Sequence, residues 1–325
     1  MNRREFLKRT AVAGIAGGIA LTGLNKLETA WAATTPVGTL IDLTKCDGCA
    51  DKKLPACVAA CRETNRDRFP QPRPEDIRPY WPQKKFEDWS KKQDITNRLT
   101  PYNWTFVQKV EVEYQGKKAT VFIPRRCMHC DNPPCANLCP FSAQEKTPEG
   151  PVLIDPNICF GGAKCREVCP WHIPQRQAGV GLYLKVAPKF AGGGVMYKCD
   201  LCYSRITRGA LPACVEACPR EAIAFGPKEE MRKKARARAA AINGHIYGEK
   251  ENGGTSTFYV SAVPFTVLHR ALMEQKQSPG LPVEVENYLE TANGLAQGLL
   301  LAPVAGVLAA GLAVYKGMKG DGNNE

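Results

Sequence analysis

The chain has 325 residues, 44% of them hydrophobic and 23% charged. That balance excludes a disordered or collagen-like polypeptide and allows one large domain or two intimately joined ones. Its 15 cysteines are odd in number and gathered in closely spaced groups, which argues against a disulfide framework, because cysteines so near in sequence chelate more readily than they pair.

The N-terminus decides how the net charge of +12 is read. Asn2-Arg3-Arg4-Glu5-Phe6-Leu7-Lys8 resembles the twin-arginine export motif, an apolar Gly/Ala-rich stretch follows from Ala11 to Leu24, and Ala30-Trp31-Ala32 is an A-x-A cleavage site. Residues 1–32 read as a signal peptide, with an uncleaved anchor as the alternative, and the mature chain begins at Ala33. The segment takes away five basic and two acidic residues, leaving +9. A basic chain usually suggests nucleic acid. An exported one does not meet the genome, so no nucleic-acid partner is expected and localisation is periplasmic. The twin-arginine route implies a protein exported already folded and loaded with cofactor.

Val37–Leu43 reads as a short buried strand. The first cysteine group follows over 46–61: Cys46-x2-Cys49-x7-Cys57-x3-Cys61. Five prolines between positions 70 and 82 keep 62–101 irregular. Its Tyr80, Trp81, Phe86 and Trp89 need burial, against this chain or against a partner. Trp104–Tyr114 and Ala119–Ile123 alternate around Gln115-Gly116-Lys117-Lys118, a hairpin signature. The second group, 127–140, is Cys127-x2-Cys130-x4-Cys135-x3-Cys139-Pro140. After a strand at 152–155 comes the third, 159–170, reading CFGGAKCREVCP. Cys159, Cys165 and Cys169 keep the spacing of C-x2-C-x2-C-x3-C-P, but Gly162 stands where the second cysteine belongs. A glycine-bearing loop spans 175–194. The fourth group, 199–219, is Cys199-x2-Cys202-x11-Cys214-x3-Cys218-Pro219. Strands are predicted at 222–225 and 255–261, and between them a helix at 228–241, acidic early and basic late as the helix dipole prefers; its charge is read as a solvated face. Residues 294–315 form an uncharged stretch of 22, long enough to cross a ~30 Å hydrocarbon core. With Lys316 and Lys319 behind it, the stretch predicts one transmembrane helix and a cytoplasmic tail over 316–325.

The bacterial C-x2-C-x2-C-x3-C-P run holds iron–sulfur cubes, and its fourth cysteine ligates a different cube from the first three. The groups must therefore work in pairs, two clusters to a pair. Zinc wants two C-x2-C pairs and four ligands, a poor match to four groups of which three end in C-x3-C-P. The remaining alternative is a structural zinc or disulfide module. His129, inside the second group, and His172, after the third, could each donate a hydrogen bond to sulfur, although packing or solvent exposure is the plainer reading of a lone histidine. No nucleophile motif, nucleotide loop or paired-carboxylate signature stands out, so the chain reads as non-catalytic.

Four cysteine groups in this order resemble the four-cluster iron–sulfur subunits of bacterial respiratory oxidoreductases. Those subunits partner dimethyl sulfoxide reductase, nitrate reductase, formate dehydrogenase and a class of nickel–iron hydrogenase. The export signal, the C-terminal helix and the stretch His245-Ile246-Tyr247-Gly248-Glu249-Lys250-Glu251-Asn252-Gly253-Gly254-Thr255 are similar to the hydrogenase-2 type and formate dehydrogenase subunits. The resemblance implies that group one pairs with four and group two with three. Carried over, Cys46, Cys49, Cys57 and Cys218 hold one 4Fe-4S cluster. Cys199, Cys202, Cys214 and Cys61 hold a second, and Cys127, Cys130, Cys135 and Cys169 a third. Cys159, Cys165 and Cys139, lacking a ligand at Gly162, hold a 3Fe-4S cluster; four 4Fe-4S clusters are the alternative. The fold implied over 33–290 is α+β, two interleaved ferredoxin-like halves with loop insertions, closed by the C-terminal transmembrane helix in the bilayer. The function implied is electron relay between an extracytoplasmic catalytic subunit and an integral membrane quinone-reactive subunit. A nickel–iron hydrogenase is favoured as the catalytic partner over a molybdopterin enzyme.

Overall fold

A computed structural model describes residues 35–79, 86–186 and 193–290. All of them fall in one unit of the chain, Ala33–Glu325; the unit before it, Met1–Ala32, and with it the expected signal peptide, lies outside the described residues. In chain order the elements are β1 (Val37–Asp42), α1 (Ala56–Thr64), β2 (Phe106–Tyr114), β3 (Lys117–Arg125), α2 (Pro134–Asn137), β4 (Gln144–Lys146), β5 (Val152–Ile154), α3 (Lys164–Glu167) and β6 (Gln175–Gln177). There follow α4 (Tyr183–Val186), β7 (Val195–Tyr197), α5 (Tyr203–Ile206), α6 (Ala213–Glu216), β8 (Ile223–Pro227), α7 (Lys228–Ala241), β9 (His245–Tyr247), β10 (Thr257–Ser261) and α8 (Phe265–Glu274).

The central sheet runs β8-β1-β10-β9, with β1 parallel to β10 and antiparallel to β8. Side chains alternate across a strand, and here each face has its own cover. Leu40, Phe258 and Val260 point to one side and pack on Met231, Ala235 and Ala239 of α7; burying each of the large apolar side chains contributes about 1.5–3 kcal/mol. Ile41, Ile223, Tyr247 and Tyr259 point to the other and join the main core, which includes cysteines of groups one, two and four. Covered on both faces, β1 is buried at every position. The charged side of α7 faces solvent and pairs locally, Arg232 with Glu229 and Arg236 with Glu249.

The hairpin β2–β3 turns on Gln115 and Gly116, both left-handed, a two-residue connection whose twist matches the strands. Lys117 and Lys118 belong to β3 rather than to the turn. Helix α8 packs on β2, and Gln275 and Gln277 donate from Nε2 to the Glu111 and Lys109 carbonyls at 2.7 and 2.9 Å, occupying a sheet edge that would otherwise be open.

Strand pairing displays the interleaving. The strand entering group one (β1) pairs with the strand leaving group four (β8). Between them lie the strand leaving group two and the strand entering group three, which pair with each other (β4 and β5). The architecture is mixed α/β with ferredoxin-like character. The described part of the irregular segment after α1 makes its contacts with this chain. Glu87 accepts from Arg166 twice, at 2.7 Å each, and from Arg176 at 2.6 Å, and the Ala178 N–H donates to the Glu87 carbonyl. Phe86 is 48% exposed, contrary to the burial expected of it, because the Glu87 ion pairs draw the neighbouring residue inward and leave Phe86 outside. Tyr80 and Trp81 lie outside the described residues. The loop 175–194 carries β6 and α4, which its glycines conceal in the sequence.

The transmembrane helix expected to close the fold, and the bilayer contact through it, are corrected. Among the described residues no helix is long and apolar enough to cross a membrane. The last one described, α8, has 10 residues, roughly 15 Å at ~1.5 Å each, and its apolar side is spent on the body of the protein through Phe265, Leu268 and Leu272. Residues 294–315, to which the sequence assigns that helix, lie outside the described residues.

Candidate iron–sulfur centres

Each cysteine group is built from the same local parts. Short helices α1, α2, α3 and α6 place Cys57, Cys135, Cys165 and Cys214 at or near their first turn. The last cysteine of each group lies four residues on. In groups two, three and four a proline then ends the turn. Three residues beyond the cysteine, Ser142, His172 and Glu221 are left-handed and donate their N–H to the Cys139, Cys169 and Cys218 carbonyls at 3.1, 2.9 and 3.2 Å. Three separate stretches of sequence thus repeat one backbone turn.

Group one meets group four. Cys46, Cys49, Cys57 and Cys218 line one cavity. Cys61, Cys199, Cys202 and Cys214 line another, with Asn65 and Arg126. Group two meets group three: Cys135 and Cys139 pack on the cluster containing Cys159 and Cys165, and after burial it is Cys169 and Cys127 that push the Cys130 thiol up. All fifteen cysteines are free thiols. Group one is thus brought to group four and group two to group three; Gly162, at the short group, is exposed.

Burial and mutual crowding make these thiols reluctant to ionise alone. Burial first, then neighbouring thiols, pushes Cys46 up to about 11 and Cys165 and Cys202 up to about 12. Cys57 and Cys61 are driven higher by the same causes. A cationic cofactor core inverts that balance, since a coordinated thiol is deprotonated outright. The surroundings are already set for sulfur bearing negative charge. Backbone N–H groups of Leu201, Ala222 and Met196 donate to Cys199, Cys218 and Cys159 at 3.4, 3.3 and 3.5 Å. Side-chain amides of Asn252 and Asn65 donate to Cys130 and Cys61 at 3.2 and 3.7 Å. Arg126 is buried, with Nε and Nη1 lacking any hydrogen-bond partner, and lines the cavity of Cys199 and Cys214. Two orphaned guanidinium nitrogens facing a cavity of four thiols fit an anionic group held there.

Lys198 is buried too, its charge favoured by Cys127, Cys135 and Cys199, and so stands between groups two and four. His129 joins it. The Val152 N–H donates to His129 Nδ1 at 3.0 Å, so the neutral ring carries its proton on Nε2, which faces Cys199 Sγ at 3.8 Å. Burial and the cations Lys198, Arg126 and Lys146 hold His129 well below the usual imidazole range, keeping it neutral. His129 thus takes the sulfur-facing role over plain packing. His172 takes the plainer one: exposed, with Nδ1 donating to the Arg166 carbonyl at 3.1 Å. Arg126, Lys198, Asn65 and Asn252 are not evident from cysteine spacing. The signal for two of them was a basic residue immediately before the first cysteine, as in Arg126-Cys127 and Lys198-Cys199.

Two family models, each described as a 4Fe-4S dicluster domain, match the chain, one over residues 45–143 and the other over 118–228. The "Hydrogenase-2 operon protein HybA" of Escherichia coli O157:H7 is 31% identical over 307 residues, covering 82% of this chain and 82% of that protein. The chain belongs to the iron–sulfur electron-transfer subunits of respiratory oxidoreductases. Within that family, the "Formate dehydrogenase-O iron-sulfur subunit" of Escherichia coli K12 is 30% identical over 310 residues, 92% of this chain and 89% of the relative. A protein of Nitratidesulfovibrio vulgaris is 34% identical over 278 residues; the alignment takes in 82% of this chain and 66% of that one. Two dicluster domains imply four iron–sulfur clusters, in keeping with the four cysteine groups.

Proposed function

We propose that this subunit relays electrons between a catalytic subunit, a nickel–iron hydrogenase in the first instance, and a quinone-reactive membrane subunit. The observation that supports the reading is that free thiols of groups one and four line two shared cavities, four to each, while those of groups two and three pack together. Cys46, Cys49, Cys57 and Cys218 hold one 4Fe-4S cluster; Cys61, Cys199, Cys202 and Cys214 a second; Cys127, Cys130, Cys135 and Cys169 a third. Cys139, Cys159 and Cys165 hold a 3Fe-4S cluster, Gly162 contributing no ligand. Such clusters supply one-electron acceptance and donation. The residues of this chain fix the order of the sites, exclude water from the thiols and set the charge around them. Lys198, Arg126 and His129 stand where the two halves meet and favour the more negative state of each neighbouring site. The protein itself performs no bond chemistry, works on the extracytoplasmic face, and reaches it by the twin-arginine route.

The similarity to HybA supports the hydrogenase assignment. A molybdopterin enzyme such as formate dehydrogenase is the second reading, favoured by the broader coverage of the formate dehydrogenase-O subunit. Anaerobic purification of the complex from its own cells, followed by metal analysis, tests both. Brown protein absorbing near ~400 nm from thiolate-to-iron charge transfer, with nickel in stoichiometric company, is expected. Molybdenum or tungsten in place of nickel selects the second reading, and colourless protein carrying zinc overturns both.

A further inference from the structure

The glycine-rich stretch 245–255 contains no cysteine, yet it ends against a ligand set. Residues 254–256 run along the loop Met128–Asp131 like a short added strand. The Asp131 N–H donates to the Gly254 carbonyl at 2.9 Å and the Ser256 N–H to the His129 carbonyl at 3.0 Å, with a bridge between Cys130 and Thr255. The approach is close: at Gly254, φ +96°, a Cβ would fall 2.7 Å from Asp131 Oδ2. The stretch is also locked from behind. The Asn252 N–H donates to the Val285 carbonyl at 2.7 Å, and Asn287 donates from Nδ2 to the Asn252 carbonyl at 3.0 Å.

What this holds in place is one side chain. Asn252 is 1% exposed and left-handed, φ 56° and ψ 36°, a conformation asparagine tolerates better than most residues. Its Nδ2 lies 3.2 Å from Cys130 Sγ, and its Oδ1 is buried without a partner. A packing asparagine would use its oxygen. This one leaves the oxygen unsatisfied, at a cost of about 1–3 kcal/mol, and directs its N–H at sulfur.

We propose that Asn252 is a tuning residue for the centre at Cys127, Cys130, Cys135 and Cys169, donating an N–H···S bond that raises its reduction potential above that of the same ligand set without the bond. The inference rests on the proposed cluster at those four cysteines. Reduction places more negative charge on the sulfurs, so a donor stabilises the reduced state more than the oxidised one, and hydrogen bonds to sulfur are among the levers that set cluster potentials. The carboxylate of Asn252→Asp keeps the shape, removes the donor and adds like charge. Asn252→Ala removes the donor alone.

The test is a redox titration of the anaerobically purified full-length protein, followed by paramagnetic resonance, alongside iron and sulfide analysis. Expected is an unchanged iron content with one centre displaced downward in both variants, by about tenfold in its reduction equilibrium or about 59 mV for one electron, and further in the Asp variant than in Ala. The other three centres should hold their potentials. Unshifted potentials in both variants overturn the tuning role, as does loss of the centre from both, which makes Asn252 a structural residue. A wild-type protein without iron–sulfur signals instead overturns the cluster reading beneath it.

Discussion

Replacing Gly162 with cysteine should convert the incomplete centre into a cube. A Cβ at Gly162 meets nothing within 4 Å, and its φ lies outside the left-handed range, so the backbone accepts a Cβ there without clash. Fewer conformations of the unfolded chain should even add about 0.4–1 kcal/mol of stability. The neighbouring glycine is the control. At Gly161, φ +66°, a Cβ would fall 2.5 Å from the Gly194 carbonyl oxygen; a left-handed non-glycine residue costs about 1–2 kcal/mol before that overlap is relieved. Gly161→Cys should therefore unfold at lower temperature, and Gly162→Cys should not. The assay is paramagnetic resonance of the air-free, oxidised protein together with iron analysis. A three-iron centre is paramagnetic when oxidised, so the wild type should show its signal, while Gly162→Cys should lose it and gain one iron per chain. A silent oxidised wild type whose iron content already equals that of the variant would refute the reasoning, because a solvent oxygen would then be completing a four-iron cube.

Glu87→Gln should lower stability by about 2 kcal/mol, since Arg176, 4% exposed, loses its counter-charge; chemical denaturation measures it. The Arg166 and Arg176 guanidiniums hold the Glu87 carboxyl below the usual range despite its burial. That stabilisation is complete above the unfolded carboxylate pKa and is lost as pH falls through the folded one, so wild type and variant should converge in acid. His129→Phe should leave the Val152 N–H unpaired, costing about 1–3 kcal/mol, and lower the potential of the centre at Cys199 while the iron content stays constant. Because Cys46, Cys165, Cys169, Cys199 and Cys202 are raised to about 11 or 12 in the metal-free chain, cluster assembly must expel their protons. Reconstitution monitored by pH-stat should release acid, and its yield should rise from neutral toward alkaline pH.

The cysteine spacing made the site legible because cluster ligation depends on local turns: three or four cysteines within 20 residues or fewer declare their chemistry without help from the rest of the fold. The buried strand at Val37 and the helix at Lys228–Ala241 were legible for the same reason, since alternation and dipole-matched charge are local patterns. The residues that surround the sulfurs were not. Asn252 acts across 122 positions of sequence and His129 across 70, and nothing near either in the chain marks its target. Both histidines follow or interrupt a cysteine group, yet one is sealed between groups two and four and the other faces solvent; packing decides that, and spacing does not record it. Phe86 misled for a related reason: an aromatic residue reads as core unless the ion pairs of its neighbour are known.

The measurement that tests the central claim most directly is native mass spectrometry of the intact chain isolated without oxygen. Four centres on four paired cysteine groups predict a mass above the polypeptide equal to three 4Fe-4S clusters and one 3Fe-4S cluster, with Cys61→Ser and Cys218→Ser each weakening a different four-iron centre and leaving the three-iron centre intact. A mass carrying zinc, or one short by two hydrogens for every disulfide, would contradict it.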